Sequence, residues 1–391
     1  MKKTRHAPAD RPARAGPRRR DALACAGLLA LCVFVRAPFL ASFDLVSHDG
    51  TYYIAQAREL AAGRTGGGAF PPGYPAAVAL AMLVVADDVR AAQAVSALAG
   101  LVAALALYFM GRDRFGRATA WTCAAVASVT PLFVRLSLTT MSEALYIAMV
   151  TGALLAALRA RAGLAGVLAG LAAGTRPEAL AVAAAMGVVW RRDPAKVRSL
   201  GASFVLVYAL GVAGASAFAG HLVLLPKRSL LGSEAGAPAL ALRYLTRLPA
   251  DAAALFRHLG PVAFALGLWG AWRRRGIVVA ALWPAFVNPL FTPRAEDRFI
   301  LPFVLPALWL AFDAAAAFAT PRARRLGLGL LVASGALAFH FNRAALTTPV
   351  SEGFAGARDV GLELRERIAP GARVADRKPF VPFYAGARYV E

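Results

Sequence analysis

Cysteine is scarce in this chain of 391 residues: there are three, Cys25, Cys32 and Cys123, all inside apolar stretches. That excludes a disulfide framework and a zinc site of CxxC spacing. Histidine is also rare, at five residues, and none lies near His48 in sequence, so His48 reads as a polar neighbour rather than a metal ligand. Acidic residues are outnumbered two to one, 22 against 44 basic ones, and no repeat of fixed period is found. What the chain has in abundance is apolar sequence. Hydrophobic residues make up 59% of it and the mean hydropathy is +0.56. Apolar runs of up to about 20 residues, the length a bilayer-spanning helix requires, recur throughout.

A net charge of +22 would fit a nucleic-acid partner if it were gathered on one face. It is not. Residues 1–20 and the short loops 112–117, 159–161, 191–198, 273–275 and 321–325 together hold 23 basic residues against three acids, so they carry +20 of the +22. Basic residues confined to short loops between apolar segments follow the positive-inside rule, and the nucleic-acid reading is rejected.

The expected spans are 22–41, 91–110, 118–135, 141–158, 162–175, 177–190, 199–220, 255–272, 276–292, 299–319 and 326–343, which puts every basic loop in the cytoplasm. The fold class is therefore an all-α polytopic membrane protein with about eleven transmembrane helices, thirteen at most. The first span follows a basic start, but its length exceeds a signal-peptide core and no cleavage pattern follows, so it is read as uncleaved. The apolar piece 75–86 is short for a crossing, and counting it would turn the five downstream basic loops outward, so it reads as interfacial or re-entrant. The chain divides into a basic start (1–21), a transmembrane domain (22–343) and an outer tail (344–391). The tail has seven basic and six acidic residues and is expected to form a small, incomplete α/β part. In the outer loop 42–74, TYYIAQARELAAG reads as an amphipathic helix with Tyr53, Ala57 and Leu60 on one face. Pro71, Pro72 and Pro75 stiffen its return to the membrane.

Charges at membrane depth or at its edge are costly and mark functional candidates, although each is also read as a helix terminus or a snorkelling side chain. In order of difficulty to explain away they are Asp49 with Asp44 and His48, then Glu143, then Arg176 with Glu178, then Arg294, Glu296, Asp297 and Arg298; Arg36 is weaker. All map to the outer side. Asp44 reads as a helix-end residue, and Tyr52 and Tyr53 as interface anchors or substrate contacts.

The most specific pattern is D-G-T-Y-Y-x3-A-R-E-L-x2-G followed by F-P-P-G-Y-P, then R-L-S-L-T-T-M-S-E-A-L-Y, G-L-A-A-G-T-R-P-E, R-F-I-L-P-F-V-L-P and D-R-K-P-F-V-P-F-Y-A-G. In this order the motifs resemble the GT-C membrane glycosyltransferases, in particular the bacterial branch similar to protein O-mannosyltransferases and the lipid A aminoarabinose transferase. The resemblance implies a bacterial inner-membrane enzyme with its active site on the periplasmic face. Such an enzyme moves a sugar from a polyprenyl-phosphate donor in the membrane lipid to a hydroxyl of a glycan, lipid or protein acceptor. Asp49, Tyr52 or Tyr53, Ala57 and Pro71-Pro72 match the family's first-loop positions. Two departures stand out. Gly50 replaces a second carboxylate, which weakens the case for a divalent cation, the one cofactor the pattern leaves open. Phe70 stands where the aminoarabinose transferase carries a lysine.

The chemistry suits the residues independently of the resemblance. A phosphate leaving group is already anionic and needs no protonation, so one base and some cations suffice, unlike a glycosidase with its two carboxylates. Asp49 is the expected general base, and Arg176, Arg294 and Arg298 are candidates to hold the phosphate. Glu143 and Glu178 complete the expected substrate contacts. The alternative class is a transporter or lipid flippase, against which no pair of matched Gly/Pro-broken helices in two similar halves is found.

Overall fold

The structure, a computed structural model, describes residues 18–43, 46–64, 70–219, 237–274, 276–280, 282, 296–348, 356–369, 371–376 and 378–390. Asp44 and Arg294, two of the expected outer charges, lie outside the described residues, as does most of the expected span 276–292.

The described chain is almost entirely helical. Helices α1 (Arg18–Arg36), α4 (Asp88–Phe115) and α10 (Pro194–Ala219) are long and apolar enough to cross a bilayer. At 28 residues α4 is about 42 Å long. It begins at an Asp87 cap whose Oδ1 accepts from Arg90 N–H at 2.8 Å, and it ends at Gly116, whose φ of +87° stops the helix. Shorter apolar helices pack among them: α7 (Glu143–Leu158), α8 (Ala162–Thr175), α9 (Ala179–Val189) and α14 (Leu301–Ala316). Of 16 residues, α14 buries all but two, matching a sequence apolar all round except for Asp313, whose Oδ1 accepts from Arg114 Nε at 3.1 Å. The main core joins α4, α7, α8 and α14 through Leu107, Tyr146, Leu154, Ala165, Trp309 and Phe312.

Two expected spans are broken, and both breaks matter below. The span 118–135 divides into α5 (Arg117–Val129) and α6 (Pro131–Leu136) at Thr130, because Pro131 has no N–H to continue the ladder. Arg36 from the end of α1 closes the exposed end: its Nη1 donates to the Ser128 carbonyl at 3.4 Å and its Nε to Ser137 Oγ at 2.8 Å. The span 255–272 divides at Gly260 between α11 (Ala237–Leu259) and α12 (Pro261–Arg274), which meet at 117°. Gly260 has φ +73°, and a Cβ there would lie 2.5 Å from Ser334 Oγ on α15 (Pro321–Asn342). Ser334 Oγ donates to the Leu259 carbonyl at 3.0 Å and accepts from Ala263 N–H at 3.3 Å, so the freed backbone groups are re-satisfied.

The segment expected to be interfacial contains α3 (Gly73–Ala81), whose nine residues rise only about 14 Å, under half a hydrocarbon core. It packs against the amphipathic helix α2 (His48–Ala61), and Tyr53, Ile54, Ala57, Tyr74 and Val78 form one buried cluster. The expected buried face of α2 is thus present at Tyr53 and Ala57. In the tail, helix α16 (Ala357–Arg367) precedes a parallel pair, β1 (Arg373–Ala375) with β2 (Arg388–Val390), in register Val374↔Tyr389, with α17 (Phe380–Tyr384) as the crossover. Tyr384 Oη accepts from Val46 N–H at 3.0 Å, which ties the tail to the start of α2.

Candidate active site

The position of Asp49 is set by how α2 starts. Ser47 caps the helix, its Oγ accepting from Gly50 N–H at 3.0 Å, while its own N–H donates to Thr140 Oγ1 at 3.3 Å. The first turn therefore sits directly on the segment 137–142. Gly50 has no room for a side chain there, since a Cβ would lie 2.0 Å from Thr140 Oγ1 and 2.8 Å from the Thr140 carbonyl. One turn further on, Tyr53 Oη reaches Ser142 Oγ at 3.1 Å. These contacts leave Asp49, next to Gly50, directed away from the packed face and into a cavity.

Asp49 pairs with Arg298, 249 residues away: Arg298 Nη1 donates to Asp49 Oδ2 at 2.6 Å. Arg298 Nε lies 2.6 Å from Glu296 Oε2 and 3.9 Å from Glu143 Oε1. Glu143 Oε1 in turn accepts from Arg176 Nη1 at 2.8 Å, and Arg176 Nη2 donates to Glu178 Oε1 at 3.0 Å. The sequence-selected charges Asp49, Glu143, Arg176, Glu178, Glu296 and Arg298 thus form one network, with Glu143 and Glu178 buried. Four carboxylates share two guanidiniums. His48 stands at its edge, with Nδ1 3.5 Å from Asp49 Oδ1.

A cavity of about 650 Å³ opens beside this network. Its polar and charged lining includes His48, Asp49, Arg135, Arg257, His258, Glu296, Asp297 and Arg298. Its apolar lining comes from Leu132, Leu136, Met141, Phe341, Ala344 and Ala345. Arg176, Glu143 and Glu178 support the cavity from behind without lining it. Tyr53 is buried, and Tyr52 faces a separate cleft between α2 and the tail.

Arg135, Arg257 and His258 are cavity residues that the sequence reading passed over. Each stood inside an expected continuous span, and the breaks at Thr130 and Gly260 turn them inward. A signal existed: an arginine at the outer end of an apolar span opposes the positive-inside pattern. Arg257 Nη2 donates to Asp297 Oδ1 at 2.7 Å, and His258 Nε2 lies 3.1 Å from Asp297 Oδ2. That His258 contact is the main reason the Asp297 carboxyl is held below the usual carboxylate range; burial opposes it and Arg257 reinforces it. Arg135 differs from the other cavity arginines. Its Nη1 donates to the Ala345 carbonyl at 2.8 Å, and among the described residues no carboxylate pairs with it.

A divalent cation was left open as a cofactor, and the residues do not fit one. The place between Asp49, Glu296 and Glu143 is taken by the Arg298 guanidinium, and the Thr140 contact excludes a carboxylate at position 50. Among the described residues, no group of three His, Cys, Asp or Glu side chains is arranged to hold a metal ion.

Comparison with known proteins agrees with this architecture. The profile of the dolichyl-phosphate-mannose-protein mannosyltransferase family matches residues 70–223. No curated protein sequence matches the chain significantly. Among solved structures, ArnT from Cupriavidus metallidurans bound to undecaprenyl phosphate is similar with a TM-score of 0.69 at 13% identity, over 96% of this chain and 86% of that one. The apo state of the same protein gives 0.60 at 14% identity, over 94% and 86%. The Archaeoglobus fulgidus oligosaccharyltransferase, in complex with Zn and sulfate, gives 0.60 at 15% identity, over 94% and 62%. The expected fold class is borne out: the chain has the helical membrane fold of the GT-C glycosyltransferases.

Proposed function

Taking that fold as the premise, we propose that the chain is an inner-membrane glycosyltransferase that moves a sugar from a polyprenyl-phosphate donor to an acceptor hydroxyl on the periplasmic face. The observation that carries this reading is one cavity lined by a carboxylate, by apolar side chains and by an arginine that pairs with no carboxylate among the described residues. A lipid-linked phosphate sugar brings the matching groups: an apolar chain, a phosphate and a sugar. Its prenyl chain would lie along Leu132, Leu136 and Phe341, its phosphate against Arg135, and its sugar toward Asp49. The acceptor oxygen attacks the anomeric carbon, the bond to the phosphate oxygen breaks with its electron pair leaving on the phosphate, and Asp49 takes the acceptor proton. A single displacement of this kind inverts the anomeric centre.

The arginine roles are thereby redistributed. Arg176 and Arg298, expected as phosphate holders, already face carboxylates, and adding a phosphate to a network with a negative excess is unfavourable. In this reading Arg298 orients Asp49, and the phosphate falls to Arg135, with Arg257 and His258 nearby. ArnT, whose structure holds undecaprenyl phosphate, supports the choice of donor class. The test is incubation of the purified protein in lipid nanodiscs with undecaprenyl-phosphate-linked sugars and glycan, lipid or peptide acceptors. Acceptor-dependent release of undecaprenyl phosphate supports the reading. Movement of the intact donor between leaflets without release would instead identify a flippase.

A further inference from the structure

We infer that the cleft between α2 and the tail is the acceptor subsite, and that it takes a neutral oligosaccharide portion of the acceptor. The inference rests on the glycosyltransferase reading and narrows it to one acceptor chemistry. Two observations carry it, and the first is position. The cleft, of about 880 Å³, is lined by Thr51 and Tyr52, which follow Asp49 closely in α2, and by Pro379, Pro382 and Phe383 in and before α17 with Tyr389 of β2. His48 links this cleft to the catalytic cavity. It lines that cavity, and its ring meets the Tyr52 ring edge-on with centroids 5.5 Å apart. A ligand held against Tyr52 is thus one side chain away from the cavity that contains Asp49.

The second observation is the chemistry of the lining. Tyr52, Phe383 and Tyr389 bring rings, and Pro379 and Pro382 add flat apolar surface, a platform on which the C–H faces of a pyranose can stack. Among the described residues, the charged groups of the lining are Arg58, Glu59 and Arg64, and each arginine already has a carboxylate. Arg64 Nε and Nη2 donate to Glu59 at 2.7 and 3.0 Å. Arg58 pairs with Asp88 at the start of α4, and its guanidinium lies 4.6 Å from the Phe383 ring centroid. A phosphorylated ligand would have to draw an arginine off its carboxylate. Sugar hydroxyls both donate and accept, so they bond to such ion pairs without breaking them. The volume lies near the upper end of the roughly 300–1,000 Å³ found for small-molecule sites, which suits an oligosaccharide better than a single sugar.

The test measures binding first and transfer second. Mannotriose, cellotriose and chitotriose are offered without donor to the purified full chain in nanodiscs, alongside mannose 6-phosphate and a serine-rich peptide, and bound probes are read by saturation-transfer difference NMR. At least one triose is expected to bind, with the strongest transfer at its ring C–H protons. Tyr389→Ala should weaken that binding roughly tenfold, and Tyr389→Phe, which keeps the ring, should restore most of it. Ala55→Trp, at an exposed position of the lining, fills the cleft instead of emptying it and serves where the alanine variant does not fold. In the transfer assay the same substitutions should raise the acceptor KM about tenfold while donor affinity stays at the parental value. The inference is overturned if no triose binds, if the phosphate or the peptide binds more tightly than every triose, or if folded cleft variants bind the triose like the parent. A triose that binds in the cleft of a chain with no transfer activity would uphold the saccharide site and sink the glycosyltransferase reading. Transfer with an acceptor KM unmoved by Ala55→Trp would do the reverse.

Discussion

Asp49→Asn is the substitution on which the catalytic reading depends most. The amide keeps the shape and one acceptor oxygen but cannot take a proton. General-base catalysis is worth about a hundred- to ten-thousandfold in rate, or roughly 3–5 kcal/mol of barrier. The structural cost is much smaller. The Asp49–Arg298 pair is about one-fifth exposed on each side, so solvent screening holds its contribution to stability near 1 kcal/mol. Arg298 also keeps Glu296 at 2.6 Å and Glu143 at 3.9 Å, so no cation is left stranded. The network moves from four carboxylates on two guanidiniums to three, which relieves repulsion. Asp49→Asn should therefore keep its expression, its melting temperature in detergent and its donor affinity, while turnover falls a hundredfold or more. The assay is release of undecaprenyl phosphate at saturating donor, paired with donor binding by fluorescence quenching on the same sample. Turnover at the parental rate would refute the assignment. So would equal losses in binding and turnover, because they would make Asp49 a binding group rather than a base.

Arg135→Gln should weaken donor binding roughly ten- to a hundredfold, the worth of a charged hydrogen bond, with Arg135→Lys intermediate because it keeps charge but loses the fork; unchanged binding isotherms would move the phosphate elsewhere. Arg176→Ala removes the guanidinium shared by the buried Glu143 and Glu178, leaving Glu143 only the 3.9 Å contact to Arg298, and is expected to cost about 3 kcal/mol or more, seen as a large drop in melting temperature. Because the Asp297 carboxyl is held below its unfolded value of about 3.9, its contribution to stability is present above that pH and is lost as pH falls through the lower folded value. The melting temperatures of parent and Asp297→Asn should accordingly converge only below about pH 4; a difference that stays constant across that range would count against the pairing. Reporter fusions after Arg117, Arg161, Arg198 and Arg325 should report cytoplasm, and fusions after Thr65 and Gly361 periplasm; any exchange between the two groups would overturn the threading.

The sequence alone determined the membrane class, the positions of most helices and the buried face of α2, because these follow from local hydrophobic length and period. The same logic identified Asp49, Glu143, Arg176, Glu178 and Arg298 as costly charges needing a reason. It could not say which charge meets which, since Asp49 and Arg298 join across 249 residues and only packing brings them together. It showed Arg135 and Arg257 only as charges at the outer ends of spans and did not bring them or His258 to the site, because hydropathy treats an apolar run as one straight span. The breaks that expose them depend on tertiary contacts. Arg36 from α1 closes the end of α5 at Ser128, and Ser334 from α15 satisfies the backbone opened at Gly260. Without those partners, an interrupted helix in hydrocarbon would leave polar groups unsatisfied, so whether the chain can break there is decided by its neighbours and not by the segment itself.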